Sequence, residues 1–380
     1  MIFWILQGIF IVTLVLASYI LKPVYQKNIA RFMTVYMIIL SGLRYRIGYD
    51  YDQYMDLFSW LTYDPDRVWP DPSFQILCEL LRYFGFDYQM LFLLYAAVSL
   101  VFFYKGLCYF LDNNYRKISL ALGIFYLGTI SMVGLWFSFT MIRQFAAMAI
   151  IFWGTKYILT PNRSFTKFSL CVLFATFFHL SALSILVFYF MPYTLSKKKI
   201  FIVIILLPIF IKLTLSLLFT QFMTPLFDRV AGYSLDKVNA DAVSLSSYIM
   251  TLVMLLFIFF QLRATDTKRN LLIFMTTLGL SLKLFLSGIF GLDRIASEFL
   301  IFFYPSFVIC IDDIKCKFFL NLGIVFIVLS LFFAMNIRMI AAYPETEVAR
   351  IMGGSHANID YKFNFAFRNE SWSFYDLLRY

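Results

Sequence analysis

Long apolar runs separated by short polar connections fill most of the chain. They lie at about 2–21, 32–45, 89–111, 118–136, 141–160, 200–221, 245–262, 271–290, 297–311 and 318–335. Several reach the roughly 20 residues a helix needs to cross hydrocarbon. Strands of an outer-membrane barrel would instead alternate apolar and polar positions. The pattern predicts an all-α integral membrane protein, a single polytopic domain of about ten transmembrane helices. Residues 1–21 are too long and apolar for a typical cleaved signal, and no small-residue cleavage motif follows them. They are read as a retained first span.

Three polar stretches interrupt the runs, at 44–88, 222–244 and 337–380. Cytoplasmic loops are enriched in lysine and arginine, so those residues set the orientation. Lys22, Lys27 and Arg31 put the first loop inside and the N-terminus outside. Loop 44–88 is then extracytoplasmic, and its acids outnumber its bases. Arg116 with Lys117, and Arg163 with Lys167, mark later inner loops. A full crossing by 168–191 would leave Lys197, Lys198 and Lys199 outside, and Arg263, Lys268 and Arg269 after them. A helical hairpin with its apex near His179 returns both clusters to the inside. Such backbone is tolerated at membrane depth where protein or a wet cavity covers it. Both termini then lie outside. Within 44–88, Asp71 and Pro72 read as a helix start, with an acid at the cap and proline at the first position. Phe74, Leu77, Leu81 and Phe84 follow at helical spacing and Gly85 ends the helix. This predicts an amphipathic helix resting on the membrane or over a cavity.

Composition narrows the class. The chain is 62% hydrophobic and 14% charged, whereas a soluble domain carries about a quarter charged residues. The net charge of +10 comes from short loops, not from a basic domain interleaved with aromatics. It reads as topology, and no nucleic acid is expected as a partner. Cys78, Cys108, Cys171, Cys310 and Cys316 are scattered, without a C-x-x-C pair, so neither a zinc site nor a disulfide framework is predicted.

The densest polar knot is 44–58, RYRIGYDYDQYMDLF. Charges beside hydrocarbon are costly, which marks this stretch as a candidate site. If 52–61 is helical, Tyr54, Leu57, Phe58 and Leu61 share one face and Asp52 and Asp56 another. A carboxylate there suits proton removal from a sugar hydroxyl, with tyrosines stacking on sugar rings. The same residues also suit an interfacial tyrosine belt with solvated acids. Gly48 permits a sharp turn ahead of Asp50. Arg143, at the outer end of a span, suits a phosphate because it can donate two parallel hydrogen bonds; the bland reading is snorkelling to headgroups. Ala146, Ala147 and Ala149 favour close packing and so a place inside the bundle. His179 is either a structural group or, at a hairpin apex, a diphosphate ligand or proton donor. Asp293 and Arg294 open another span, as a helix-end charge pair or a second phosphate site. Lys283 has no partner that the sequence names. The hairpin topology brings 44–56, Arg143, His179, Arg294 and the tail to one face.

These blocks, in this order, resemble the EpsG family of bacterial polysaccharide proteins, which is similar to Wzy-type O-antigen and capsule polymerases. The blocks are Arg46, Gly48, Asp50, Tyr51, Tyr54 and Phe58; the stretch DPSFQILCELL; Ile142, Arg143, Gln144 and Ala147; Ala175, Phe178, His179, Ser181, Ala182 and Leu183; and the late Arg294. Glu298 departs from the aromatic residue usual four positions after that arginine. The resemblance implies a lipid-dependent, GT-C-like glycosyltransferase in the bacterial inner membrane, its active site facing the periplasm. It implies a donor glycan on undecaprenyl diphosphate and a lipid-linked repeat unit as acceptor. Arg143, Arg294 and Arg46 are then expected at the diphosphate. Asp50, with Asp52 second, is expected as the base, and His179 in the catalytic set. Tyr51, Tyr54 and Gln144 are expected at sugar. With arginines at the leaving group, no metal and no other cofactor is expected. Expected partners are the bilayer, lipid-linked oligosaccharides and a chain-length regulator. Two rivals use the same residues. A lipid-linked-sugar flippase would need access from both sides, and no repeated halves are detectable. A membrane O-acyltransferase would use His179 as base but leaves the arginines unexplained.

Overall fold

A computed structural model describes residues 2–48, 50–60, 71–128, 133–159, 163–190, 267–286, 292–312 and 318–342, with short pieces elsewhere. The predicted spans at 200–221 and 245–262, loop 222–244 and most of the tail lie outside the described residues. The helices are α1 (Ile2–Ile20), α2 (Pro23–Gly42), α3 (Tyr51–Trp60), α4 (Pro72–Tyr83), α5 (Tyr88–Phe110), α6 (Tyr115–Leu127) and α7 (Leu135–Thr140). They continue with α8 (Ile142–Gly154), α9 (Lys156–Leu159), α10 (Phe165–Phe178) and a 3₁₀ helix (Leu180–Phe190). After these come α11 (Thr267–Leu286), α12 (Leu292–Leu300), α13 (Phe303–Asp312) and α14 (Phe318–Ala342). The described residues are otherwise regular only in an antiparallel ladder of β1 (Lys362–Phe363) with β2 (Trp372–Ser373). The helices form two compact units, 1–186 with 311–380, and 187–310.

In the first unit α5 packs against α2 and α8, and α8 against α10. Leu91, Leu100, Phe103 and Leu107 of α5 are fully buried. Phe103 meets Phe125 of α6 and Phe152 of α8, ring centroids 4.7 and 5.7 Å apart. The outer faces are apolar as well: Leu6, Ile9 and Phe10 of α1 and Phe326, Ile327 and Leu331 of α14 are exposed. A helix apolar on every side is a membrane helix. Three described helical stretches are long and apolar enough to span: α1, α5 and Leu320–Arg338 of α14.

Contacts along the helices fix their directions. Trp4 at the start of α1 lies 4.8 Å from Trp136, whereas Tyr19 at its end lies under Arg116, 5.1 Å away. Gln89 at the start of α5 bonds the end of α2, and Phe152 near the end of α8 sits against Gly106 near the end of α5. Phe178 at the end of α10 meets Tyr95 in the first half of α5, at 5.8 Å. One end of the unit therefore carries 44–56, Asp71, Gln89, Arg143 and His179. The other carries Lys27, Arg116, Lys117 and Lys156. There Lys117 pairs with Asp312 at 2.6 Å. Residues 329 and 333 of α14 lie beside Gly123 and Gly8. The helix thus starts at the basic end, and its last turns lie at the acidic end with the N-terminus.

Several boundaries differ from the sequence reading. Helix α2 starts at Pro23, so Lys27 and Arg31 lie on its first turns and not in a loop. Proline is favourable at a first helical position, and the exposed Val24 and Tyr25 extend the helix beyond the apolar run. The run 118–136 breaks after Leu127, and α7 begins separately after Gly134. A side chain at 134 would collide with the Gly128 carbonyl, so the turn needs glycine there. In 168–191 the α-helix stops at His179, whose backbone is extended, and a 3₁₀ helix follows.

In the second unit α11 packs on α12. Gly279 lets Phe299 approach, and the Thr276 and Ser306 hydroxyls are 2.8 Å apart. Run 297–311 is two helices joined at 301–302, and Arg294 lies inside α12, not ahead of a span. Glu298 is fully buried.

Candidate active site

The acidic end is built around Arg44, which is fully buried. Its Nε donates to the Ile47 carbonyl at 3.0 Å and its Nη2 to the Phe139 carbonyl at 2.8 Å; its Nη1 donates to the Ser41 carbonyl. Its guanidinium lies 4.5 Å from the Phe92 ring centroid and 5.4 Å from that of Phe139. Hydrogen bonds to a charged group are stronger than neutral ones, and here they hold the end of α2, the following loop and α7 together. The sequence placed Arg44 in the polar knot without this role. Gly48 has φ +102°, and a Cβ there would strike the Phe139 carbonyl. The sharp turn predicted ahead of Asp50 is thus present, and only glycine fits it.

Asp50 is half-buried and its carbonyl accepts the Tyr54 N–H at 2.9 Å, opening α3. Tyr54, Leu57 and Phe58 are buried and Asp56 is exposed, as the helical periodicity predicts. Arg46 Nε lies 3.5 Å from Asp52; both side chains are partly exposed, but the facing atoms are buried. Tyr51 is fully buried, stacked on Phe92 at 4.8 Å, and its hydroxyl donates to Gln89 Oε1 at 3.3 Å. Burial raises its phenol far above the ordinary value. Tyr51 and Tyr54 thus anchor α3 in this conformation and do not offer an open ring face to sugar. Sequence reasoning missed Gln89. This buried amide also donates to the Gly42 and Arg44 carbonyls.

Arg143 pairs through Nη1 with Asp71. Its guanidinium also lies 5.6 Å from the Tyr54 ring and 5.7 Å from the Phe74 ring. Asp71 does precede a helix with proline at its first position, as read from the sequence, but its carboxylate makes no capping bond. It goes to Arg143 instead, forgoing a cap worth about 1 kcal/mol. Arg143 stands in the first turn of α8, where the helix dipole is already positive. Two positive sources converge there, and a carboxylate meets them; helix N-termini bind phosphate for the same reason. The predicted amphipathic helix turns Ser73, Phe74, Cys78 and Leu81 inward, and Phe84 is exposed. Burial pushes the Cys78 thiol up to about 12. Ser73 reaches Tyr95 at 2.9 Å, and Phe178, next to His179, lies edge-on to that tyrosine.

His179 is half-buried, with Nδ1 2.6 Å from the Ser181 hydroxyl. Gln144 is buried within α8. Asp50, Arg143, the end of α10 and the helix at 72–83 therefore meet at one end of the first unit. Arg294 belongs to the second unit, and its side chain lies outside the described residues. Among the described residues no three of His, Cys, Asp and Glu are grouped to hold a metal.

A model described as EpsG family matches residues 27–347. The chain belongs to the EpsG family. The match spans every candidate residue from Arg44 to Arg294. No curated protein and no solved structure matches the chain. EpsG membership and the long apolar helices make it a membrane protein of polysaccharide biosynthesis.

Proposed function

We propose that this EpsG-family protein is a polysaccharide polymerase. It transfers a growing glycan from undecaprenyl diphosphate to a hydroxyl of an incoming lipid-linked repeat unit. The observation that carries the reading is the pair of a partly buried Arg143 with the buried Asp71 at the start of α8, beside the Asp50 loop and remote from the basic end. In the transfer, the acceptor oxygen bonds the anomeric carbon as the bond to the diphosphate oxygen breaks. The electron pair leaves on the diphosphate, where Arg143 and the α8 terminus offset the charge. The acceptor proton passes to Asp50. Tyr54, one α3 turn or about 6 Å along the axis from Asp50, touches Arg143, so base and arginine share one neighbourhood. Asp52, held by Arg46, is the second carboxylate, and His179 is the candidate proton donor to the leaving group. Positive charge at the leaving group makes a metal dispensable in this reading.

The basic end faces the cytoplasm in this reading and the site faces the periplasm. The chain reaches the acidic end at Phe178 and is back at the basic end at Asp312. Four predicted spans lie between 200 and 311. If each of these crosses once, as the hydropathy pattern predicts, an even number of crossings cannot change sides, and the hairpin reading supplies the return.

Envelope polysaccharide from a deletion strain tests the assignment. A polymerase deletion leaves single-repeat product, and Asp50→Asn reproduces that phenotype with normal membrane abundance. Absence of any capped product would point to a flippase, and full-length chains lacking acetyl groups to an acyltransferase. A full-length ladder from Asp50→Asn would remove Asp50 as the base.

A further inference from the structure

We propose that Asp71 is a positioning residue for the transfer. It holds one terminal nitrogen of Arg143 so that the Nε side of the guanidinium is left for diphosphate oxygens. The proposal rests on the reading of Arg143 as the diphosphate arginine.

The first support is what the Asp71 carboxylate does. It stands at the start of the helix 72–83 yet takes no capping bond, and pairs with Arg143 Nη1. The second is confinement. The Asp71 side chain is 4% exposed and that of Arg143 18%. The Tyr54 and Phe74 rings lie against the guanidinium, so its plane has little freedom to rotate. The third is the nitrogen left over. Arg143 Nε is buried and has no hydrogen-bond partner among the described residues. A buried donor without an acceptor is rare and marks a place that a ligand or water completes. In a guanidinium, Nη1 lies on the Cδ side and Nε–H points the other way, alongside Nη2. A carboxylate on Nη1 therefore lies on the opposite edge from Nε–H, the donor left without an acceptor; the guanidinium also donates to the Tyr54 hydroxyl, so Nε is the nitrogen left for a phosphate oxygen. Without Asp71 the arginine keeps its charge but loses its orientation.

The test is binding of undecaprenyl diphosphate to full-length protein in lipid nanodiscs, with thermal stability measured on the same samples. Arg143→Gln should lose binding. Asp71→Asn should weaken it by about 10- to 100-fold, the scale of an ångström misplacement. Asp71→Glu keeps the charge but displaces the guanidinium; it should weaken binding while leaving the melting temperature near wild type, which a purely structural role would not do. Asp71→Asn added to Arg143→Gln should cost nothing further, because the carboxylate acts through the arginine. If Asp71→Asn does not fold, Asp71→Glu decides. Binding within about twofold of wild type in the folded Asp71 variants, with Arg143→Gln impaired, overturns the proposal and leaves the functional reading standing. Tighter binding in Asp71→Asn also overturns it, since the carboxylate would then be a competitor. Binding by Arg143→Gln equal to wild type removes the functional reading itself, and this proposal with it.

Discussion

The two ends of the first unit use the same residue types in opposite ways. At the basic end Arg116 lies over the Tyr19 ring, Lys27 lies 5.7 Å from the Tyr115 ring, and Lys117 pairs with a partly exposed Asp312. These groups are only partly enclosed, and each meets a single ring or carboxylate on a neighbouring helix. At the acidic end Arg44 is enclosed by carbonyls and rings, and Arg143 by a buried carboxylate and two rings. A charge at a wet helix end costs little and serves to orient the chain. A charge drawn into the bundle must be fully satisfied, so it fixes the surrounding backbone or awaits a ligand. Arg44 does the first, and in the proposed reading Arg143 does the second.

Substitutions can break this contrast. Arg44→Met should be the most damaging, about 3–5 kcal/mol, because it leaves the Ser41, Ile47 and Phe139 carbonyls buried without their donor. It should show as lost membrane abundance and a lower melting temperature, while Arg116→Met changes neither. Equal sensitivity of the two arginines would erase the distinction. Arg143→Ala should reduce polymer by about 10²–10³, read as collapse of the polysaccharide ladder to single repeats. A normal ladder would make Arg143 merely structural. Gly48→Ala forces a side chain into the left-handed region and against Phe139, at about 1–3 kcal/mol. It should shorten the ladder by shifting Asp50, with a smaller drop in abundance than Arg44→Met. Lys117→Ala should cost no more than about 1 kcal/mol and leave the ladder unchanged, as for other exposed pairs. Loss of polymer from Lys117→Ala would show that the basic end takes part in the chemistry.

Legibility in the sequence followed the reach of the interactions. The helical face of Tyr54, Leu57 and Phe58 was readable because it depends on spacing alone. The α-helix ends at His179, the apex expected in the sequence reading from two basic clusters. The helix at 72–83 was readable, but the role of its first residue was not: a local rule assigns Asp71 to capping, and Arg143, 72 positions later, takes the carboxylate instead. Tyr51 and Tyr54 looked like sugar platforms because composition does not say which rings the fold encloses.

Order along the chain, hydropathy and the placement of lysines were enough to define a helical membrane protein and to put 44–56, Arg143 and His179 at one end, since those features arise from each segment's own transfer energy into lipid. Which arginine braces the loop, which carboxylate faces Arg143 and which nitrogen is left without an acceptor depend on contacts between residues far apart in the chain. Only the packed helices, which exclude water from those groups and set their distances, decide them.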